Sequence, residues 1–67
     1  MSDLFERISV AAMFVAANEA PAHRDLDRYV ALARKGGMSE FEIKRAVRDG
    51  VRLVEALGLP SARVTVI

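Results

Sequence analysis

Three stretches of the chain repeat apolar residues at helical spacing, and each ends at a breaker or a change of character. In the first, Leu4, Ile8, Ala11, Ala12 and Val15 fall three or four apart, and Val10, Met13, Phe14 and Ala17 keep the same period on the other sides. The spacing predicts a helix over about 4–18. Ser2 or Asp3 caps it, with Glu6 three places after Asp3 in the manner of a capping box. Its second half, VAAMFVAA, is apolar on nearly every side, and such a helix has to be covered all round. Two further short helices are too few for that, so partner chains are expected to cover the rest.

The second stretch opens at Pro21, which suits the first turn of a helix because its missing N–H costs nothing there. A helix over 22–35 buries Leu26, Tyr29, Val30 and Ala33, with Leu32 beside them, and leaves Arg24, Asp25, Asp27, Arg28 and Arg34 in water. Gly36 and Gly37 end it. The third stretch has the clearest start. Ser39 is placed as N-cap, Glu42 as its capping-box partner, and Met38 and Ile43 as a hydrophobic staple. A helix over 40–57 then carries the stripe Ile43, Ala46, Val47, Gly50, Val51, Val54 and Leu57. Gly50 costs about 1 kcal/mol against alanine inside a helix, so another helix is expected to approach closely there. Gly58 and Pro60 stop it. The tail, 61–67, favours extended structure and either pairs as a strand or lies over the helices by side-chain contact.

Composition turns these elements toward assembly. A chain of 67 residues makes one domain, 1–67. A domain of this size buries only about 60% of its unfolded-chain surface and is marginal alone. There is no cysteine and only one histidine, so disulfides and thiolate metal sites are excluded as supports. Oligomerisation is the remaining support, and a hydrophobic content of 52% agrees with it. The expected fold is all-α: a three-helix domain with a short extended C-terminal tail, part of an oligomeric helical bundle. The net charge of +1, with both signs mixed, gives no reason to expect a nucleic acid partner. VAAMFVAA has no basic segment before it and is far shorter than the roughly 20 residues that span a bilayer. The chain therefore reads as cytoplasmic, with no membrane partner.

Candidate chemistry gathers at the junction between the first two helices, where Glu19, His23, Asp25 and Asp27 follow one another. His23 and Asp27 are four apart and share a helix face. A small enzyme would use His23 with Glu19 or Asp27 for proton transfer. The plainer reading is a helix–helix turn whose acids sit near the positive end of the second helix. No metal or cofactor is expected. Lys44, Arg45, Arg48 and Arg52 form a basic strip on the third helix, interrupted by Glu40, Glu42, Asp49 and Glu55. It reads as a solvated face with local ion pairs, phosphate binding being the sharper alternative. The glycine pair in RKGGMS reads as a helix cap, and no phosphate loop, dinucleotide fingerprint or hydrolase serine motif is present.

The apolar run Val10–Ala17, then ALARKGG, then MSEFEIKRAV resembles the alkylhydroperoxidase D / carboxymuconolactone decarboxylase-like family over roughly residues 5–57. Those all-α oligomers carry an apolar helix, a short turn, a helix ending in KAG and a capped helix of the type SEEEI. The family's redox members have a Cys-x-x-Cys pair with a histidine four residues beyond. Counted back from Gly37, those places hold Ala22, Asp25 and Tyr29, and the upstream glutamate falls near Val10. His23 stands in only with a gap. The resemblance implies the helix pair and trimers or hexamers, not the peroxidase chemistry. The same segment also resembles a helix-turn-helix, with Ala33, Gly37 and Ile43 at the customary spacing. Glu40 and Glu42 would then face phosphates, where cations or amides belong.

The function expected from the sequence is a non-catalytic homo-oligomeric assembly or accessory protein. It binds a larger protein partner or a small ligand at an inter-subunit pocket through Phe14, His23 and Tyr29, and itself through Val10, Ala12, Met13, Phe14 and Ala17. A DNA-binding helix-turn-helix and the small enzyme are the alternatives.

Overall fold

The computed structural model describes residues 4–17, 22–61 and 64, with the backbone alone at Ala22. It holds three helices, α1 (Leu4–Ala16), α2 (Ala22–Lys35) and α3 (Glu40–Ala56), and no strand among the described residues. The Ser2 or Asp3 cap, Pro21 and most of the tail lie outside the described residues. A Cα radius of gyration of 11.0 Å matches the roughly 11 Å of one compact domain of this length, so the chain folds on itself.

The helix ends follow from local chemistry. Gly37 takes φ of 90°, a left-handed conformation that glycine enters without penalty. That turn lets Met38 N–H donate to Ala33 O at 2.9 Å and Gly37 N–H donate to Arg34 O at 3.1 Å, the Schellman pattern. The same pattern closes α3, where Leu59 N–H donates to Val54 O and Gly58 N–H to Glu55 O. At the start of α3 the Ser39 side chain accepts from Glu42 N–H at 3.2 Å. The Glu42 carboxylate in turn accepts from the Ser39 hydroxyl at 3.3 Å.

α1 is the centre of the packing. It lies against both other helices, while α2 and α3 touch each other little. Ile8, Ala11, Ala12, Val15, Leu26, Val30, Ala33, Ile43, Ala46 and Val47 close into one buried core. Most of the apolar side of α1 is therefore covered inside a single chain. Met38 and Val64 pack on this core from outside, so the tail touches the helices at that residue through its side chain. Tyr29 is half-buried, and Leu32 and Leu57 are exposed rather than inside their stripes.

The α1–α3 contact is close because the facing residues are small. The Ser9 hydroxyl donates to Ala46 O at 2.8 Å across the two helices. A methyl group at Gly50 would overlap the Ser9 carbonyl oxygen and stand 2.9 Å from Met13 N. Pairing Ser9 with Ala46 and Met13 with Gly50 runs the two helices the same way. α3, with 17 residues against 13 in α1, then extends past its last turn, which leaves Leu57 uncovered.

Candidate functional site

α1 and α2 meet less closely, and the space between them is an open groove of ≈ 490 Å³. Its apolar lining is Val10, Ala11, Phe14 and Tyr29, and Glu6, Arg7 and Asp25 make its charged rim. Arg7, Val10 and Phe14 sit at positions i, i+3 and i+7 of α1, one row along the helix. Asp25 and Tyr29 are four apart on α2 and form the facing wall. The Arg7 guanidinium carbon lies 5.9 Å from the centre of the Tyr29 ring, at the outer limit of a cation–π contact. The volume falls in the range of small-ligand sites, about 300–1,000 Å³.

The structure brings Phe14 and Tyr29 together in this groove but leaves His23 out of its lining. His23 and Asp27 are exposed on α2, and Glu19 lies outside the described residues. Proton-transfer chemistry at His23 therefore has no enclosed site among the described residues. No group of three His, Cys, Asp or Glu side chains capable of holding a metal ion occurs among them either. Of the residues expected at an oligomer interface, Val10 and Phe14 are 43% and 45% exposed, and Ala17 is exposed. Met13 is half-buried beside Gly50, and Ala12 has no exposed surface at all. Ala12 faces the intramolecular core. Sequence reasoning missed Glu6, Arg7 and Asp25 as rim residues. Only the i, i+3, i+7 relation of Arg7 to Val10 and Phe14 hinted at one of them.

A second, smaller concavity of ≈ 330 Å³ runs along the outer face of α3, lined by Phe41, Lys44, Arg45, Arg48, Asp49 and Arg52. The Arg34 guanidinium holds Glu40 by two hydrogen bonds of 2.8 Å across the α2–α3 turn. Those bonds, helped by Coulomb attraction to Arg34 and Lys44, pull the Glu40 carboxyl below its ordinary pKa. Among the described residues no helix is long and apolar enough to cross a membrane. Compared with protein-family models, curated proteins and solved structures, the chain gives no match.

Proposed function

We propose that this chain is a non-catalytic, self-associating binding module whose interface is the α1–α2 groove. The carrying observation is the pair Val10 and Phe14, exposed on α1 beside the half-buried Tyr29 ring. Covering two large apolar side chains next to an open apolar groove lowers the free energy relative to leaving them in water. The rim supports a second copy as the occupant. It carries both signs, Arg7 against Glu6 and Asp25, so a two-fold arrangement sets the Arg7 of each copy against acids of the other. A standard interface takes about 800 Å² from each copy, roughly one sixth of the 4906 Å² the chain exposes. The resemblance of the helix pair to alkylhydroperoxidase D-like assemblies points the same way, and a ligand pocket would then lie between subunits at Phe14 and Tyr29.

Light scattering over a wide concentration range tests this. The wild type is expected as a dimer or larger ring. Phe14→Asp is expected as a monomer with unchanged helical circular dichroism. A wild type that stays monomeric at the highest concentration would sink the proposal.

A further inference from the structure

The outer face of α3 carries chemistry that self-association does not use. Phe41, Arg45, Arg48 and Arg52 recur at i, i+4, i+7 and i+11, a single row. The row lies opposite the buried Ile43, Ala46, Val47, Gly50 and Val54. Lys44 flanks it, and all five side chains of the strip are exposed. Phe41 is 74% exposed, the most exposed of the large hydrophobic side chains among the described residues.

Two features separate this strip from an ordinary solvated face. First, Lys44, Arg48 and Arg52 follow one another at i, i+4 and i+8, so each neighbour on that diagonal repels the next. None of the four cations has an ion-pair partner within 4.0 Å among the described residues. The acid nearest the start of the strip, Glu40, is held by Arg34 instead. Second, most of the acids that alternate with the cations along the sequence lie off the row. Glu42 and Asp49 fall to one side, Asp49 at the edge of the same hollow, Glu40 falls to the other, and Glu55 follows Arg52 beyond the C-terminal end. The result is a narrow basic strip, about 16 Å long from Phe41 to Arg52, with acids along one border and at its end.

That border decides the kind of anion. A helix about 10–12 Å across fills a duplex major groove about 12 Å wide. The border that carries Glu42 and Asp49 would then face a phosphate backbone. A single strand laid along the row from Phe41 to Arg52 meets the four cations, with Asp49 at one edge, and its bases are free to stack on the exposed Phe41 ring. We infer that the outer face of α3 is a binding surface for single-stranded nucleic acid, with Lys44, Arg45, Arg48 and Arg52 on its phosphates and Phe41 on a base.

The experiment is fluorescence anisotropy with labelled thymidine and uridine oligonucleotides of about 12 nucleotides, within the site sizes such surfaces occupy. Salt is varied from about 50 to about 200 mM. Binding to either strand is expected, with a log–log salt slope near about −3 for four phosphate contacts. Arg45→Ala combined with Arg48→Ala should flatten that slope by roughly 1.4. Phe41→Ala should weaken binding about 5- to 100-fold with the slope kept, and an abasic strand of equal length should lose the same factor on the wild type. All three side chains are exposed, so circular dichroism should show these variants folded. Three results would each overturn the inference. They are no binding at the lowest salt, tighter binding of duplex than of strand, or an abasic strand that binds as well as the normal one. The last would mark the strip as a charge-only surface suited to an acidic protein segment.

Discussion

The two sides of α1 are built on opposite plans. Toward α3 its residues are small, and the backbones approach until Gly50 has no room for a methyl group. Toward α2 its residues are larger, Arg7, Val10 and Phe14, and the helices leave a groove between them. Both sides come from one apolar helix, so hydrophobicity does not separate them. Residue size does. Small residues at matched positions let two backbones close on each other and exclude everything else. Large side chains at the edge of a contact hold the helices apart and leave apolar surface facing outward. One side of α1 is thus closed within the chain, and the other leaves Val10 and Phe14 exposed beside a groove.

The sharpest way to break this comparison is to place the same charge on each side. Ala12→Asp puts a carboxylate where no surface is exposed. An uncompensated buried charge costs about 3–5 kcal/mol, and a chain of this length holds only about 3–10 kcal/mol in all. The expected outcome is a largely unfolded protein by circular dichroism and denaturant titration. Phe14→Asp, on the open side, should cost under about 1 kcal/mol of fold stability. If both variants unfold alike, the groove is part of the core and the two-plan description fails. If both stay folded, Ala12 is not where the structure has it.

A smaller effect is expected from adding one methyl group at the close contact. Gly50→Ala gains about 1 kcal/mol of helix propensity. Against that stands overpacking, commonly about 1–3 kcal/mol and more when nothing can yield. The atoms it meets, Ser9 O and Met13 N, are backbone, so α1 as a whole has to move. A net loss of about 2 kcal/mol is expected, which lowers the melting temperature of a domain this small by roughly 8–16 °C. Thermal denaturation checks it. An unchanged or raised melting temperature would show that α1 and α3 slide apart without penalty.

Much of this arrangement is written locally. The Ser39 cap, the glycine stops after α2 and α3, and the stripe Ile43 to Val54 depend on neighbours three or four residues away. Spacing reports those neighbours directly. Gly50 was legible for a related reason, because a glycine inside an apolar stripe has a helix-propensity cost that only a close neighbour explains. What spacing does not report is direction. VAAMFVAA is apolar almost all round, so nothing in it says that Ala12 turns inward while Val10 and Phe14 turn outward. That choice is made by where Gly50 and Ala46 let α3 come in. The groove's rim was hidden because Arg7 on α1 and Tyr29 on α2 are brought together by packing. The basic strip was legible from spacing, but not that its four cations have no ion-pair partner among the described residues.

The smallest expected effect concerns the joint between α2 and α3, which touch little and are tied at the turn by Arg34 and Glu40. Glu40 has a folded-state pKa below its ordinary value, chiefly because Arg34 donates hydrogen bonds to the carboxylate. A group whose pKa is lowered on folding adds stability while it is ionised in both states. That contribution is whole above the ordinary value of 4.5 and disappears as pH falls through the lower folded value. Both side chains are well exposed, 40% and 57%, and solvent screens such pairs heavily. Glu40→Gln should therefore make the protein slightly less stable at neutral pH, with the deficit shrinking to nothing on acidification below the ordinary carboxylate range. Urea titrations of both proteins across that range measure it. The sign of the trend carries the test. A deficit that grows as pH falls would mean the carboxylate does not owe its low pKa to Arg34.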